Sequence, residues 1–220
     1  MDPLLYSQDR TALLLVDPYN DFLSEGGKLW PMVENVASEV GLLTNLRAIT
    51  AAARREGIAV FIVPHHRWEP GDYADWNHPT PYQLTAGRRQ SFARGTWGGD
   101  WHPDFAPRPS DVLIKEHWGA SGFTNTDLDL RLRQRGIHQV IVIGLLANTC
   151  IESTGRSATE LGYHVTLVKD ATAAFNEEMM YAAHELNGPT FAHEILTTAE
   201  LIAALPQAAL MGVGPLPAGS

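Results

Sequence analysis

Six short apolar runs punctuate the chain: TALLLVD (11–17), IAVFIVP (58–64), DVLIK (111–115), QVIVIGL (139–145), HVTLVK (164–169) and HEILTT (193–198). Their apolarity is continuous rather than alternating, which suits strands covered on both faces. Between most of them the apolar spacing changes to the helical period, over 33–56, 126–135, 149–161 and 177–187. Gly57, Gly136, Gly162 and Gly188 stand just beyond these stretches as stop signals. Strands alternating with helices of this length fold as crossover units. The pattern therefore predicts an α/β protein of three layers, α/β/α, with a parallel sheet between helices. Segment 64–110 breaks the rhythm: it holds four of the six Trp and several Pro and Gly, and a connection this long serves as a lid or a binding wall. The last stretch, PQAALMGVGPLPAGS (206–220), reads as a flexible tail.

A chain of 220 residues is enough for one substantial core, so a single domain over 1–220 is expected. The formal charge of -9, with interspersed signs and no basic run, argues against nucleic acid or an anionic membrane as partner and for a small diffusible molecule. One cysteine makes no internal disulfide, MDPLLYSQDR has no signal-peptide pattern, and no apolar run is long enough to span a membrane. A cytoplasmic protein is expected.

Ligands of open parallel sheets bind beyond the carboxyl ends of the strands, where strand order reverses. Asp17 closes the first apolar run, Lys115 the third, and Cys150 follows the fourth at the start of a helix. There, unpaired N–H groups and the helix dipole favour thiolate over thiol. An Asp to take a thiol proton and a nearby Lys complete the parts of an activated nucleophile. Taken singly, each residue is equally at home as packing, cap or surface charge. Their joint placement at strand ends favours chemistry.

The blocks LLLVDPYNDF (13–22), DVLIKEHWGASGFTNTDLDLRLRQRGI (111–137) and VIVIGLLANTCIESTGRSATELGYHVTLVKDATAAF (140–175) carry a resemblance. With them the chain resembles the isochorismatase-like cysteine hydrolase superfamily, whose members include nicotinamidases, N-carbamoylsarcosine amidohydrolase, and ureidoacrylate and biuret hydrolases. The resemblance implies a six-stranded parallel sheet in the order 3-2-1-4-5-6 and an Asp-Lys-Cys triad, mapped onto Asp17, Lys115 and Cys150. It also implies a non-proline cis peptide at Leu145-Leu146, an oxyanion hole from the backbone N–H groups of Leu146 and Cys150, and a homo-oligomer. In that strand order the third strand lies two places from the first, about 10 Å away, so Lys115 has to lean inward to reach Asp17.

These parts describe an amidohydrolase that cleaves an amide or ureido C–N bond through a thioester, with no cofactor. Vinyl-ether hydrolysis of the isochorismatase type is the rival in the same fold, and a redox-responsive binding protein with a single thiol is the rival outside catalysis. Nicotinamidases of this superfamily hold a metal on an Asp-x-His pair and a further His. The corresponding stretch here, VPHHRWEPGDYADWNH (63–78), offers His65, His66, Asp72, Asp75 and His78 without that pair, so no metal is expected. Phe22, Trp97, Trp101, His117, Trp118 and Phe175 are the candidates for the substrate wall, with sheet-edge cover as the alternative for each. Asn148 either orients substrate or caps the helix that follows.

Overall fold

Within 11–16, Leu13 and Leu15 enter one hydrophobic cluster and Ala12, Leu14 and Val16 another, all fully buried. This two-residue alternation between two apolar environments is that of a central strand. In the computed structural model, which describes residues 6–206, this segment is β1 (Thr11–Val16). With it run β2 (Ala59–Val63), β3 (Val112–Leu113), β4 (Gln139–Leu145), β5 (His164–Ala173) and β6 (Glu194–Leu196). All pair in parallel, in the order β3-β2-β1-β4-β5-β6. The tail expected over 206–220 lies outside the described residues, Pro206 apart.

The helices are α1 (Asn20–Leu23), α2 (Trp30–Glu39), α3 (Leu42–Arg55), α4 (Pro81–Arg89), α5 (Leu128–Arg133), α6 (Glu152–Glu160), α7 (Glu177–Tyr181) and α8 (Thr198–Ala204). Val33 and Val36 of α2, Leu42, Leu46 and Ile49 of α3, and Leu201 of α8 join Leu13 and Leu15 on one face of the sheet. Leu128 and Leu132 of α5 and Ala158 of α6 join Leu14 and Val16 on the other. Burying a Leu or Ile of this kind contributes about 1.5–3 kcal/mol. Among the described residues no helix is long and apolar enough to cross a membrane.

Several elements depart from the sequence expectation for local reasons. The helix expected over 33–56 is two, because Gly41 adopts φ 68° between α2 and α3, a left-handed turn open to glycine. The last strand stops at Leu196, and Thr197 opens α8 instead, through a capping box with Glu200. α4 rises out of the irregular 64–110 segment on Thr80, Pro81 and Gln83, a second capping box with Pro at the first turn.

β1 and β4 sit side by side at the point where the strand order reverses. They approach so closely that a side chain at Gly144 (φ 116°) would run into the Val16 carbonyl oxygen. The register of β4 against β5 shifts between Val142 and Gly144. The extra residues lie in β5, and β4 ends at Leu145, so residues 146–150 follow at the carboxyl edge, beside Asp17 at the end of β1.

Candidate active site

Asp17 follows β1 with φ 56°, a left-handed conformation that Asp tolerates better than most residues. Its N–H bonds to the Val63 carbonyl, and its side chain is fully buried. Oδ1 pairs with Nε2 of His117 at 3.1 Å, while Oδ2 has no hydrogen-bond partner among the described residues. Cys150, also buried, stands in a π-type turn over Ala147–Ile151 that precedes α6. In that turn the Leu146 carbonyl accepts from Thr149 and Ile151, skipping the Cys150 amide between them. Donor atoms of Asp17, His117 and Cys150 all lie within 4.8 Å of one another. No other three Asp, Glu, His or Cys donors among the described residues are grouped closely enough to share a metal ion.

Lys115 is not part of this constellation, contrary to the expectation. Its side chain is exposed and makes no ion pair or hydrogen bond among the described residues; only its backbone N–H is engaged, by Asp127. The cause is a one-residue bulge beyond β3. Val112 and Leu113 lie opposite Phe61 and Ile62, an offset of 51 residues, whereas the His65–His117 bridge has an offset of 52. Ile114 N–H still reaches the Ile62 carbonyl, but the next bond, to Pro64, comes from His117 rather than Glu116. The extra residue reverses which side chains face the site. His117, read from sequence only as a wall residue, therefore stands where the resemblance called for a lysine.

The hydrogen bonds of His117 restrict its protonation. Nδ1 donates to the Gly119 carbonyl at 2.7 Å, which leaves Nε2 to face the Asp17 carboxyl. A bare Nε2 opposite a carboxylate would be repulsive, so one proton is held between the two groups. Burial opposes charging the ring, but the Asp17 carboxylate outweighs it and keeps the His117 pKa above its ordinary value. The Cys150 thiol is pushed well up, first by burial and then by the charge of the adjacent Asp17. Cys150 thus rests as a thiol beside a carboxylate, and not as the preformed thiolate expected at a helix start. The Leu145-Leu146 peptide is cis, and the Leu146 backbone acts in the opposite, weaker direction, favouring the Cys150 thiolate.

Asp17 and Cys150 open onto a cavity of about 600 Å³. Phe22, Trp118 and Phe175 line it, as the sequence reading proposed. Trp97 and Trp101 do not. Trp97 is half exposed and holds Asn20 through its carbonyl, while Trp101 stacks on Tyr19 and carries Arg67 on its ring. Asn148 neither lines the cavity nor caps the helix, and its buried Oδ1 lacks a partner among the described residues. His65, Tyr73, Tyr82, Arg89 and Phe92, all from the 64–110 segment, line the cavity as well, though nothing in the sequence pattern singles them out as wall residues. Asp21 organises part of that segment, with one carboxylate oxygen accepting from Lys28 N–H and the other from Phe92 N–H. Tyr82 is half exposed as a residue, but its hydroxyl end turns in towards Thr149; burial of that end and the nearby Cys150 and Asp17 push its pKa up to about 12, so it is protonated at neutral pH.

Residues 11–200 match the isochorismatase domain model. The chain belongs to the isochorismatase family. It is 32% identical to the ureidoacrylate amidohydrolase of Pantoea ananatis (strain LMG 20103), over 84% of this chain and 78% of that protein. A cysteine hydrolase from Pseudomonas syringae pv. phaseolicola 1448A superposes with a TM-score of 0.70 at 30% identity, covering 93% of each chain. The N-carbamoylsarcosine amidase of Thermoplasma acidophilum does so with a TM-score of 0.63 at 26% identity, covering 86% of this chain and 96% of that one.

In this isochorismatase-family chain the neighbouring histidines His65 and His66 diverge. His65 donates from Nδ1 to the His66 carbonyl and turns its ring edge-on to His117; burial and the charge on His117 lower its pKa to about 4. His66 lies between Asp72, at 2.8 Å, and Glu116, at 3.3 Å, and stacks on Trp118. Burial disfavours its charged form, but the two carboxylates prevail and raise its pKa. Glu116 is held down to about 2, against its burial, by His66 and Arg67. The signs define the pH response. The stability His66 contributes is full below the ordinary imidazole value near 6.5 and is lost as pH rises through the raised value. That from Glu116 is present above about 4.3 and lost as pH falls towards 2. Urea midpoints of wild type and His66→Gln are expected to differ more at pH 6 than at pH 9; a gap independent of pH would show that the charge of His66 contributes nothing.

Proposed function

We propose that the protein is a cysteine hydrolase that cleaves an amide or ureido C–N bond of a small molecule through a thioester on Cys150. The observation that carries this reading is the convergence of Asp17, His117 and Cys150 within 4.8 Å, with Asp17 and Cys150 opening onto the cavity. The amidohydrolase and amidase names of its relatives agree with it.

In the reaction so read, Asp17 takes the thiol proton as Cys150 attacks the substrate carbonyl, and the S–C bond forms while the carbonyl π pair moves to oxygen. The backbone N–H groups of Leu146 and Cys150 receive the oxyanion. Collapse of the adduct breaks the C–N bond, and Asp17 returns the proton to the leaving nitrogen. Water then attacks the thioester, Asp17 takes its proton, and the S–C bond breaks with release of the acid and the thiol. His117, sharing a proton with Asp17, takes the place of the family's lysine by orienting the carboxylate and neutralising the pair. A protonated, buried thiol also argues against a redox-responsive binding protein, because oxidation needs an exposed thiolate. The same reading places the protein in the cytoplasm as a homo-oligomer; Trp76, Tyr82 and Leu84, apolar and exposed beside the cavity, support a contact there.

A panel of primary amides, ureido acids, biuret and isochorismate tests the proposal through ammonia or carbonyl product. C–N substrates are expected to turn over and isochorismate not to. Lys115→Ala is expected to keep kcat/KM within about twofold, since surface changes away from a site have small effects. His117→Ala is expected to lose at least about a hundredfold, within the range of proton-transfer machinery. The reverse ranking would restore the lysine to the triad.

A further inference from the structure

The cavity is far larger than the bond to be cut requires. About 600 Å³ corresponds to roughly twenty water molecules at ~30 Å³ each, whereas a small ureido acid has about half as many non-hydrogen atoms. The wall is dominated by rings, those of Phe22, Tyr73, Tyr82, Phe92, Trp118 and Phe175. Its charged members are Asp17, already engaged with His117, and Arg89.

Arg89 differs from the guanidinium groups around it. Arg67 pairs with Glu116, Arg94 with Glu69 and Glu116, and Arg88 donates to Thr85. Arg89, half-buried, has no ion pair or hydrogen bond among the described residues, although it faces the cavity. α4, which carries it, buries none of its residues. Tyr82, Thr85, Ala86 and Arg89 repeat at helical spacing and form one face that lies over the cavity instead of over core. Along that face the reacting end is marked by Tyr82, whose hydroxyl approaches Thr149, and the cation follows two turns later.

We infer that the site takes an amide or ureide with a ring-bearing apolar body and a carboxylate at the far end of that body. The body lies on the aromatic wall and the carboxylate pairs with Arg89. This rests on the C–N hydrolase reading for the reacting group, and adds the part of the substrate that reading leaves open. A filled cavity gives the inward face of α4 an apolar partner, and a carboxylate gives Arg89 a bidentate counter-ion.

Three probes test it: 4-(ureidomethyl)benzoate, benzylurea as its uncharged match, and ureidoacetate as a small acid. Affinities are measured by calorimetry on Cys150→Ser, so that turnover plays no part. The benzoate is expected to bind at least tenfold more tightly than either of the others. Arg89→Gln in the same background is expected to remove the preference for the benzoate over benzylurea. Ureidoacetate binding as tightly as the benzoate, or an unchanged benzoate preference in Arg89→Gln, would overturn the inference. Ammonia release by wild type separates the two readings. Benzoate binding as expected without ammonia from any of the three supports the ligand class and sinks the hydrolase reading; efficient hydrolysis of ureidoacetate with no gain from the ring or the charge does the opposite.

Discussion

Cys150→Ala is expected to hydrolyse no C–N substrate above background, a loss of about 10⁴-fold or more, while unfolding within about 1 kcal/mol of wild type. The two effects separate because the sulfur does little for packing, whereas in the proposed mechanism it forms the bond to the substrate. It is one small atom in a cluster built by far larger side chains, Phe61, Phe123 and Leu128 among them. No other cysteine exists to replace it. The remaining carboxyl and imidazole form a proton-sharing pair with no atom placed to accept an acyl group. Steady-state rates with the best substrate of the panel, together with urea denaturation, check both halves. Full activity in Cys150→Ala would turn the reading towards vinyl-ether chemistry, in which a carboxylate supplies the acid and the thiol is dispensable.

Asp17→Asn carries the second large effect, a loss of about 10³-fold in kcat within the range of general acid–base catalysis. The shape of the site is kept. Nδ1 of His117 still donates to the Gly119 carbonyl, and an amide at position 17 donates to Nε2 of a neutral imidazole. What disappears is the acceptor for the thiol proton and the donor to the leaving nitrogen. The same change removes the carboxylate that, after burial, is the main cause of the raised thiol pKa. Alkylation of Cys150 by iodoacetamide, followed against pH, is therefore expected to show a lower apparent pKa in Asp17→Asn than in wild type, even as turnover falls. A slow variant with an unchanged thiol titration would mean that Asp17 does not act on the sulfur, and near-normal turnover would remove it from proton transfer altogether.

The central sheet was legible because its chemistry is repetitive. Continuous apolar runs at 11–17 and 139–145 became β1 and β4 with little change, and the β1–β4 junction brought Asp17 and Cys150 together as strand order required. The third member of the site was not legible. Lys115 and His117 are two residues apart at the end of a short edge strand, and the choice between them turns on one bulged residue that alters no composition or period. The bulge also removes the need for a long side chain to lean in from the third strand, because the extra residue brings an imidazole into contact instead. The helical period over 33–56 hid its interruption, since one left-handed glycine costs nothing in apolar patterning. Most of the cavity wall was hidden for a different reason. Tyr82 and Arg89 lie on a helix without a core-facing stripe, so hydrophobic periodicity had nothing to detect. The sequence did carry a signal for it, Thr80-Pro81-Tyr82-Gln83, a capping box with Pro at the first helical position.

The measurement that bears most directly on the mechanism is the mass of the intact protein after acid quench during steady-state turnover. Wild type is expected to carry the mass of the substrate's acyl or carbamoyl group, peptide mapping should place it on Cys150, and Asp17→Asn should show it only at a correspondingly slower rate. Rapid C–N hydrolysis by wild type with no adduct trapped, and with activity surviving in Cys150→Ala, would contradict a thioester on Cys150.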